Sequence, residues 1–243
     1  MSHLIVVSSD WHADAVTLGV PRYEEVRDAV HESVQYAIDN NASAYIMLGD
    51  LADPDSGGAT FRAVALQIST AFDLADEGIR SIWIAGNHCV HEDGSGATVM
   101  SPLAAVARDS SLIRVAEEPC ITDIAEDLAV LCLPFTAVSR GVDLAKRVKE
   151  LWPRDGTKVI VASHLTVPGI MPGEETHEMP RGREIAYPFA ETSKAIVRIQ
   201  GHYHQRQTFD PGDGGPPIII PGSLARLTFG EQDHTPAFIA LEV

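Results

Sequence analysis

The sequence is poor in cysteine, poor in basic residues and free of long apolar segments, and each shortage excludes a class of protein. Of its 243 residues, only Cys89, Cys120 and Cys132 are cysteines, with no CxxC spacing, so neither a disulfide framework nor a structural zinc knuckle is expected. The apolar runs fall far short of the ~20 residues that a membrane helix needs. The amino terminus has no basic region, so we expect no secretion signal and predict a cytoplasmic protein.

Basic residues are outnumbered by acidic ones, and this imbalance bears on the partners. The chain has 18 Lys and Arg against 34 Asp and Glu, a formal net charge of −16. An acidic surface repels phosphate backbones and anionic membranes, which weighs against a large DNA footprint. It does not weigh against a phosphate ester that reacts at bound metals, because two divalent cations add about four positive charges locally. With 45% hydrophobic and 21% charged residues, the sequence predicts one soluble globular domain over residues 1–243.

The first half of the chain alternates strand and helix patterns. Buried strands are predicted over 4–8, 44–48 and 79–85, separated by helices over 22–40 and 61–75. This alternation is typical of βαβ units with a parallel sheet. In the second helix, the predicted apolar stripe consists of Phe61, Val64, Ala65, Ile68, Phe72 and Ala75, with Gly78 closing the helix.

The second half predicts shorter elements and one long loop. A helix is expected from Ser101, because Pro102 suits the first helical turn, and another over 141–152. Residues 165–190 are rich in Pro, Gly, Glu and Arg and predict a long loop. The remaining patterns predict strands, over 112–115, 119–124, 128–133, 158–162, 195–199, 218–220 and 237–243.

Five short polar clusters follow predicted strands and carry the functional signal. They are Asp10-Trp11-His12, Gly49-Asp50-Leu51-Ala52-Asp53, Gly86-Asn87-His88, Ser163-His164 and Gly201-His202-Tyr203-His204. One such cluster alone is more often turn or cap chemistry. Five in order point to one site, because parallel sheets gather ligands at the carboxyl ends of their strands. Carboxylate, amide and imidazole donors together suit borderline divalent metals.

The donor set also predicts the charge of that site. Only two carboxylates, Asp10 and Asp50, face two dications, and the two oxygens of Asp50 can bridge them. The remaining donors are neutral, so the site keeps about two positive charges. Such a site binds phosphate oxygens and lowers the pKa of water towards neutrality.

The ordered set DxH, GDxxD, GNH, SH and GHxH over residues 10–204 resembles the calcineurin-like metallophosphoesterase superfamily. The resemblance implies an α/β fold, a four-layer αββα sandwich of two mixed β-sheets flanked by helices. It implies two divalent metal ions, with Mn2+ as the first expectation and Fe, Zn, Ni or Mg as alternatives.

The resemblance also assigns roles residue by residue. It implies metal ligands as follows: Asp10, His12 and His204 for one metal, Asn87, His164 and His202 for the other, and Asp50 as the bridge. His88 matches the family's catalytic histidine, which stabilises the transition state or protonates the leaving oxygen. Asp53 matches the residue that orients this histidine in some branches. Cys89 stands where the family usually has an acidic residue.

The carboxyl-terminal part is similar to the SbcD-like DNA repair exonucleases. Residues 221–231, PGSLARLTFGE, carry this likeness together with Arg22-Tyr23. The branch implies manganese-dependent cleavage of DNA phosphodiester bonds by an exo- or endonuclease. The chain leaves no room for a capping domain or an ATPase-binding tail, so we expect no SMC-like ATPase partner. Its oligomeric state stays open.

Several alternatives remain at this level. A small-molecule or cyclic-nucleotide phosphodiesterase would suit the acidic surface. A phosphoprotein phosphatase is disfavoured, because GDLADPD lacks the Arg-Gly that follows the second Asp in that branch. A non-catalytic scaffold is disfavoured because every metal-ligand position of the family pattern carries a suitable residue in this sequence.

Some residues outside the metal set have two interpretations. Trp11 and Tyr203 could stack on a base, although core packing is the simpler use for Trp11. Four arginines could contact a phosphate backbone or pair with nearby acids: Arg22, Arg181, Arg183 and Arg226.

Overall fold

The computed structural model describes residues 2–53, 57–91, 97–153, 156–170 and 187–243. These residues form thirteen strands: β1 (Leu4–Ser8), β2 (Val16–Thr17), β3 (Val20–Pro21), β4 (Ala44–Met47), β5 (Arg80–Ile84), β6 (Ile113–Ala116), β7 (Cys120–Ala125), β8 (Leu128–Leu133), β9 (Lys158–Ser163), β10 (Val197–Gln200), β11 (Gln207–Phe209), β12 (Ile218–Ile220) and β13 (Ile239–Glu242). They also form six α-helices: α1 (Tyr23–Asp39), α2 (Gly58–Asp76), α3 (Ser101–Val106), α4 (Phe135–Ser139), α5 (Leu144–Leu151) and α6 (Phe189–Thr192). Short 3-10 turns lie at Asn87–Cys89 and Phe229–Glu231.

The strands assemble into two mixed sheets and a small ribbon. The first sheet has the order β13-β1-β4-β5-β6, with β13 antiparallel to β1 and the other neighbours parallel. The second has the order β11-β12-β10-β9-β8-β7, with antiparallel strands at both edges. β2 and β3 form a separate two-stranded ribbon. The predicted parallel pairing of the first three long strands is confirmed.

Alternating side chains on each strand supply two different cores. On β4, Tyr45 and Met47 pack towards the helices, whereas Ala44 and Ile46 pack between the sheets. On β8, Leu131 belongs to the outer core of the second sheet, and its neighbours face the space between the sheets. Successive side chains of a strand point to opposite faces, so a sheet covered on both sides needs apolar residues at every position. This explains why these strands read as unbroken apolar runs.

Helices cover the outer face of each sheet and complete four layers. Val26 and Val30 of α1 are fully buried with the helix-facing side chains of the first sheet. Leu144 and Val148 of α5 lie in the outer core of the second sheet. Asp143 caps α5, because its side chain accepts a hydrogen bond from the Lys146 amide at 3.0 Å. The predicted αββα sandwich is confirmed.

The predicted stripe of α2 was wrong at three of its six positions. Phe61 is 79% and Phe72 39% exposed, and Ala65 is also exposed. Val64, Ile68 and Ala75 pack against the core, as predicted. The fully buried positions lie on an adjoining face: Ala63, Leu66, Gln67, Thr70, Ala71 and Leu74. The aromatic residues rotated the predicted stripe, because hydrophobicity alone does not show which side of the helix the sheet covers.

The remaining differences concern short elements. The helix predicted over 141–152 begins later, at Leu144, and is preceded by the unpredicted α4. β2, β3 and β11 were not predicted, since two or three residues give no periodicity. Most of the predicted loop over 165–190, residues 171–186, lies outside the described residues, and α6 begins within its last part.

Two expectations about excluded features can be compared with the structure. All three cysteines are free thiols, as predicted. Among the residues that the structure describes, no helix is long and apolar enough to cross a membrane.

Candidate metal centre

The predicted polar residues follow the carboxyl ends of parallel strands from both sheets. Five of them come after successive strands: Asp10 after β1, Asp50 after β4, Asn87 after β5, His164 after β9 and His202 after β10. Hydrogen bonds tie these strand ends together. The Asp10 amide donates to the Gly49 carbonyl at 3.0 Å, and the His12 amide donates to the Asp50 carbonyl at 2.9 Å. Across the two sheets, the His202 amide donates to Oδ1 of Asp10 at 3.1 Å.

The side chains converge on two adjoining sets of donors. The first donor group is Asp10, His12 and His204, and the second donor group is Asp50, His164 and His202. Within each group the donor atoms all lie within 4.8 Å of one another, so each could hold a metal ion. Both groups are almost fully buried, which removes water that would compete for a cation.

Asn87 and Asp50 connect the donors. Oδ1 of Asn87 lies 3.0 Å from Nε2 of His164 and 2.8 Å from Nδ1 of His202, so it belongs with the second donor group. Oδ2 of Asp50 lies 3.2 Å from Nε2 of His164 and 3.7 Å from Nε2 of His12. A single carboxylate therefore lies between histidines of both groups. The geometry brings together all seven residues that the sequence predicted as ligands.

Hydrogen bonds on the far side of two imidazoles fix which nitrogen faces inwards. Nδ1 of His164 lies 2.5 Å from the Leu48 carbonyl oxygen, which can only accept, so Nδ1 carries the proton. Nδ1 of His204 lies 2.8 Å from the Glu231 carboxylate and is protonated for the same reason. In their neutral forms both rings present the lone pair of Nε2 to the donor groups. Metal-ligating histidines are typically oriented in this way.

Glycines at the strand ends make room for the donors. A Cβ at Gly86 would overlap Oδ1 of Asp50, and one at Gly49 would overlap the ring of His164. Their missing side chains allow the close approach of the site.

Four of the donor residues adopt an unusual backbone conformation. Asp10, His12, Asp50 and His202 have φ angles of 49°, 40°, 53° and 78°. Side-chain-bearing residues rarely occupy this left-handed region. Such conformations persist only where surrounding contacts impose them, and they concentrate at functional sites.

Burial and the attraction between Asp50 and His164 set the charges of the second donor group, and burial sets the charge of the adjoining His12. Burial lowers the pKa of His202 to about 3 and that of His12 well below 6.5, so both rings are neutral at pH 7. Burial also opposes charge on Asp50 and His164, but their attraction outweighs it. It lowers the pKa of Asp50 well below its usual value and raises that of His164 to about 9. In the metal-free protein, an Asp50–His164 ion pair therefore occupies the second donor group.

Metal binding at the second donor group is expected to release a proton near neutral pH. His164, with a pKa of about 9 in the metal-free protein, must lose a proton before Nε2 can act as a ligand. The apparent affinity should rise about tenfold per pH unit below that pKa and level off above it. Isothermal titration calorimetry in two buffers of different ionisation enthalpy measures the release. Equal heats in both buffers at pH 7 would contradict the prediction.

His88 and Asp53 lie beside the donor groups. The His88 amide donates to Oδ1 of Asp50 at 2.8 Å, and the His88 ring centroid lies 5.1 Å from that of His12. Nδ1 of His88 is 4.0 Å from Oδ2 of Asp53, with side chains 40% and 48% exposed. This distance is longer than a hydrogen bond, so Asp53 acts on His88 through its charge in this conformation. His88 is thus the exposed imidazole at the mouth of the buried donors.

Glu231 was not predicted as a site residue. It is 4% exposed, and its carboxylate accepts from Nδ1 of His204 and, at 2.5 Å, from the Leu227 amide. Burial opposes its charge, but the bond from His204 lowers its pKa below the usual value, so it is ionised. Its separation from His204 by 27 positions left no sequence signal beyond the PGSLARLTFGE segment in which it lies.

The Glu231→Gln variant is expected to weaken metal binding at the first donor group. A neutral amide oxygen still accepts from Nδ1 of His204 but no longer raises the basicity of the ring. Loss of such outer contacts typically costs about 10- to 100-fold in metal affinity, and Glu231→Ala should reach the upper end. Competition with a coloured chelator measures the affinity. Glu77→Ala, at the exposed end of α2, is the matched control and should behave like the parent.

The other predicted contacts have structural roles where the structure describes them. Trp11 is fully buried against Trp83, which confirms its core interpretation, and Tyr203 is also buried, so neither is free to stack on a base. Arg22 pairs with Glu25, in line with the surface-pairing alternative. Nε of Arg226 donates to the His234 carbonyl at 2.8 Å. Arg181 and Arg183 lie outside the described residues.

Comparisons with known proteins agree with this architecture. The model of the calcineurin-like phosphoesterase family matches residues 3–206. The chain belongs to this family. It is a metallophosphoesterase, a hydrolase acting on phosphate esters.

Solved structures provide a further comparison of the fold. The metallophosphoesterase is similar to a dimetal phosphatase from Danio rerio, with 12% identity, coverage of 98% of this chain and 91% of that chain, and a TM-score of 0.55. It is also similar to Yfce, a phosphoesterase from E. coli, with 13% identity, coverage of 98% and 87%, and a TM-score of 0.42. Comparison with curated protein sequences gives no match. At these identities the likeness to the first structure shows the fold alone.

The donor chemistry of this metallophosphoesterase fits two divalent cations. Two carboxylates, one amide oxygen and four imidazoles converge. Oδ1 of Asn87 can only accept a hydrogen bond, and it lies 3.0 Å from Nε2 of His164, which carries a lone pair when the ring is neutral. Two acceptors that face each other at this distance need a cation beside them, and a metal ion supplies one. The metal's identity, predicted as manganese, stays a prediction.

Proposed function

We propose that this protein is a dinuclear metal-dependent phosphodiesterase, and that it cleaves DNA as an exo- or endonuclease of the SbcD-like type. One observation carries the dinuclear part. The Asp50 carboxylate lies between His164 of the second donor group and His12 of the first. Two adjoining donor groups that share one carboxylate suit two cations a few ångströms apart.

Within this proposal each donor group would hold one metal. Asp10, His12 and His204 would hold the first, whereas Asn87, His164 and His202 would hold the second, and Asp50 would contribute its carboxylate to both. When bound, the two divalent ions would supply Lewis-acid stabilisation of phosphate oxygens and an acidified water as nucleophile. With only two carboxylates against two dications, the site retains positive charge and favours an anionic phosphodiester.

His88 acts on the leaving group in this proposal. Its amide bond to Asp50 fixes the backbone beside the donors, and its partly exposed ring can reach a substrate oxygen. A positioned imidazole can donate a proton to a departing alkoxide. Asp53 lies 4.0 Å from Nδ1 of His88, close enough to influence the orientation of the ring. Asp53 is therefore a positioning residue.

DNA as the substrate is supported by the sequence of the segment around residues 221–231. This segment resembles the SbcD-like branch, and the structure places Glu231 of the same segment against the metal-ligand candidate His204. The segment thus bears on the centre itself. Mn2+ is the proposed metal, because that branch implies it.

A small-molecule or cyclic-nucleotide phosphodiesterase is the second candidate. The net charge of −16 favours a small ester over a polyanion. Arg22 and Arg226, which could have contacted a DNA backbone, are engaged by Glu25 and by the His234 carbonyl. Neither candidate requires an ATPase partner or a membrane.

A comparison of four substrates separates the candidates. The Mn2+-loaded protein is incubated with linear duplex DNA, single-stranded DNA, a cyclic nucleotide and bis(p-nitrophenyl) phosphate, with chelator as the blank. Shortening of DNA from its ends, or internal cuts, supports a nuclease. Turnover of the small diesters without any cleavage of DNA would transfer the proposal to the second candidate. Failure on all four, with metal shown to be bound, would reject phosphodiesterase activity altogether.

A further inference from the structure

A second polar pocket lies on the face of the molecule opposite the metal centre. It has a volume of about 330 Å3 and lies at the amino-terminal end of β5, beside the edge strands β6 and β7 of the two sheets. Arg80 opens β5, whereas the residues that follow its other end lead to Asn87. A five-residue strand is roughly 13 Å long, so the pocket is separate from the donor groups.

Among the described residues, three arginines and no carboxylate line the pocket. The lining includes Arg80, Arg108 and Arg114, and three hydroxyl residues, Ser110, Ser111 and Thr122. This composition is opposite to that of the whole chain, in which acidic residues outnumber basic ones by 34 to 18. Guanidinium groups gathered in one concave place repel one another unless an anion lies among them.

The contacts of these arginines leave most of their donors available. Nη1 of Arg80 donates to the Ser111 carbonyl at 2.5 Å, which anchors the side chain without neutralising it. Arg114 contacts the Cys120 thiol. Within the described part of the chain, neither of these two arginines forms an ion pair with a carboxylate. Arg108 contacts Asp109 at 3.3 Å, but both side chains are highly exposed, at 79% and 90%, so the pair is weak.

Several other arginines of the chain behave differently. Arg62, Arg140 and Arg198 each pair with a carboxylate, as expected for a protein with excess acid. Among the described residues Arg226 also lacks a carboxylate partner, but it lies alone and donates to the His234 carbonyl. The distinguishing feature of the pocket is therefore that three arginines share it. Arg80 lies on the same face of β5 as Ile82, which packs between the sheets, so the strand itself directs it towards this edge.

We propose that this pocket binds a small ligand through a phosphate group, independently of the metal centre. Planar guanidinium groups each donate two parallel hydrogen bonds to phosphate oxygens, and three of them match an oxyanion with two negative charges better than a singly charged carboxylate. The hydroxyl groups supply further neutral donors. The volume lies at the lower end of the range for small-molecule sites, which leaves room for a phosphomonoester as well as for inorganic phosphate.

Calorimetry on the full chain after metal removal by chelator tests the site without phosphate binding at the metal centre. Inorganic phosphate is titrated at constant ionic strength, set with chloride. We expect one phosphate per chain. Removing a charged hydrogen-bond donor weakens binding by roughly ten- to a hundredfold, so Arg80→Gln and Arg114→Gln should each show this loss. Arg147→Gln, on the exposed face of α5 and paired with Glu150, is the matched control and should bind like the parent.

A third variant keeps the test valid if a strand residue proves necessary for folding. Arg108 is exposed, and its polar contact in the described part of the chain is with the exposed Asp109. Arg108→Gln should therefore fold normally and still weaken phosphate binding. No binding by the metal-free parent, or equal binding by the parent and all three pocket variants, would overturn the proposal. Equal heats for phosphate and an equal ionic strength of chloride would do the same.

The source of the phosphate group is resolved by a second titration. Adenosine monophosphate that binds more than about tenfold tighter than inorganic phosphate identifies a phosphomonoester as the ligand. Equal affinities identify free phosphate. Because both titrations use metal-free protein, their outcome does not depend on whether the proposed phosphodiesterase activity is found.

Discussion

The Asp50→Asn variant is expected to lose both metals and nearly all activity. The carboxylate lies between His164 and His12, and its Oδ1 accepts a hydrogen bond from the His88 backbone amide. The side-chain amide of the variant is neutral. Its NH2 group would turn N–H protons towards one of these histidines, where a cation would otherwise bind. Several kcal/mol of charge stabilisation would be lost, which corresponds to about a thousandfold or more in kcat/KM. Metal content by elemental analysis and turnover of a diester substrate are the measurements.

The matched control for this change is Asp73→Asn on the exposed side of α2, which should keep metal and activity. A thermal unfolding scan of the metal-free variant shows whether the fold survives. Retention of two metals per chain by Asp50→Asn would show that the shared carboxylate is not needed. The dinuclear proposal would then lose its main support.

The His88→Gln variant is expected to keep its metals but turn over slowly. General acid–base assistance typically contributes about 10²- to 10⁴-fold, and glutamine cannot transfer a proton. If His88 protonates the leaving oxygen, the loss depends on the substrate. It should be large for DNA, whose alkoxide leaving group needs a proton, and smaller for bis(p-nitrophenyl) phosphate, whose phenolate does not. The ratio of kcat for the parent and the variant on each substrate is the measurement.

Two outcomes for His88 would change its assignment. Equal losses on both substrates would indicate transition-state stabilisation instead of protonation of the leaving group. Normal turnover on both would remove His88 from the mechanism. His31→Gln, on the exposed surface of α1, is the control for a histidine change away from the site.

The central strands could be predicted from sequence because both of their faces are buried. β1, β4 and β9 each contain a continuous apolar run that leads into a polar cluster, and the predicted limits agree with the structure to within one or two residues. What could not be predicted is how each strand divides its side chains between two cores. In α2, Phe61 and Phe72 are exposed while Gln67 is buried, because the position of the sheet decides which side of the helix is covered, and the hydrophobicity of single residues does not.

The candidate site was predictable to the extent that its residues follow strands. The carboxyl ends of parallel strands meet at one edge, so Asp10, Asp50 and Asn87 could be placed together from the order of the elements. Glu231 could not, because it reaches His204 through a 3-10 turn in a region without periodicity. The arginine pocket could not be predicted either. Arg80 and Arg114 lie on neighbouring strands of the first sheet, but the pocket is completed by Ala104 of α3 and Thr122 of β7, which only the tertiary fold brings there.

The two-sided burial of the central strands has a consequence for how the chain finds its alignment. In a sheet with one solvent-exposed face, a shift of the pairing register by one residue would expose apolar side chains to water. The shifted register is therefore strongly disfavoured. Here such a shift would exchange one set of buried apolar side chains for another. Hydrophobicity alone therefore specifies the register of these strands only weakly. The distinguishing marks are the polar strand ends, where Asp10 and His12 bond to the backbone at Gly49 and Asp50. The backbone amides of two residues proposed to bind metal thus also help to fix the register of the strands. A one-residue insertion in β1 would shift both the metal ligands and the strand pairing.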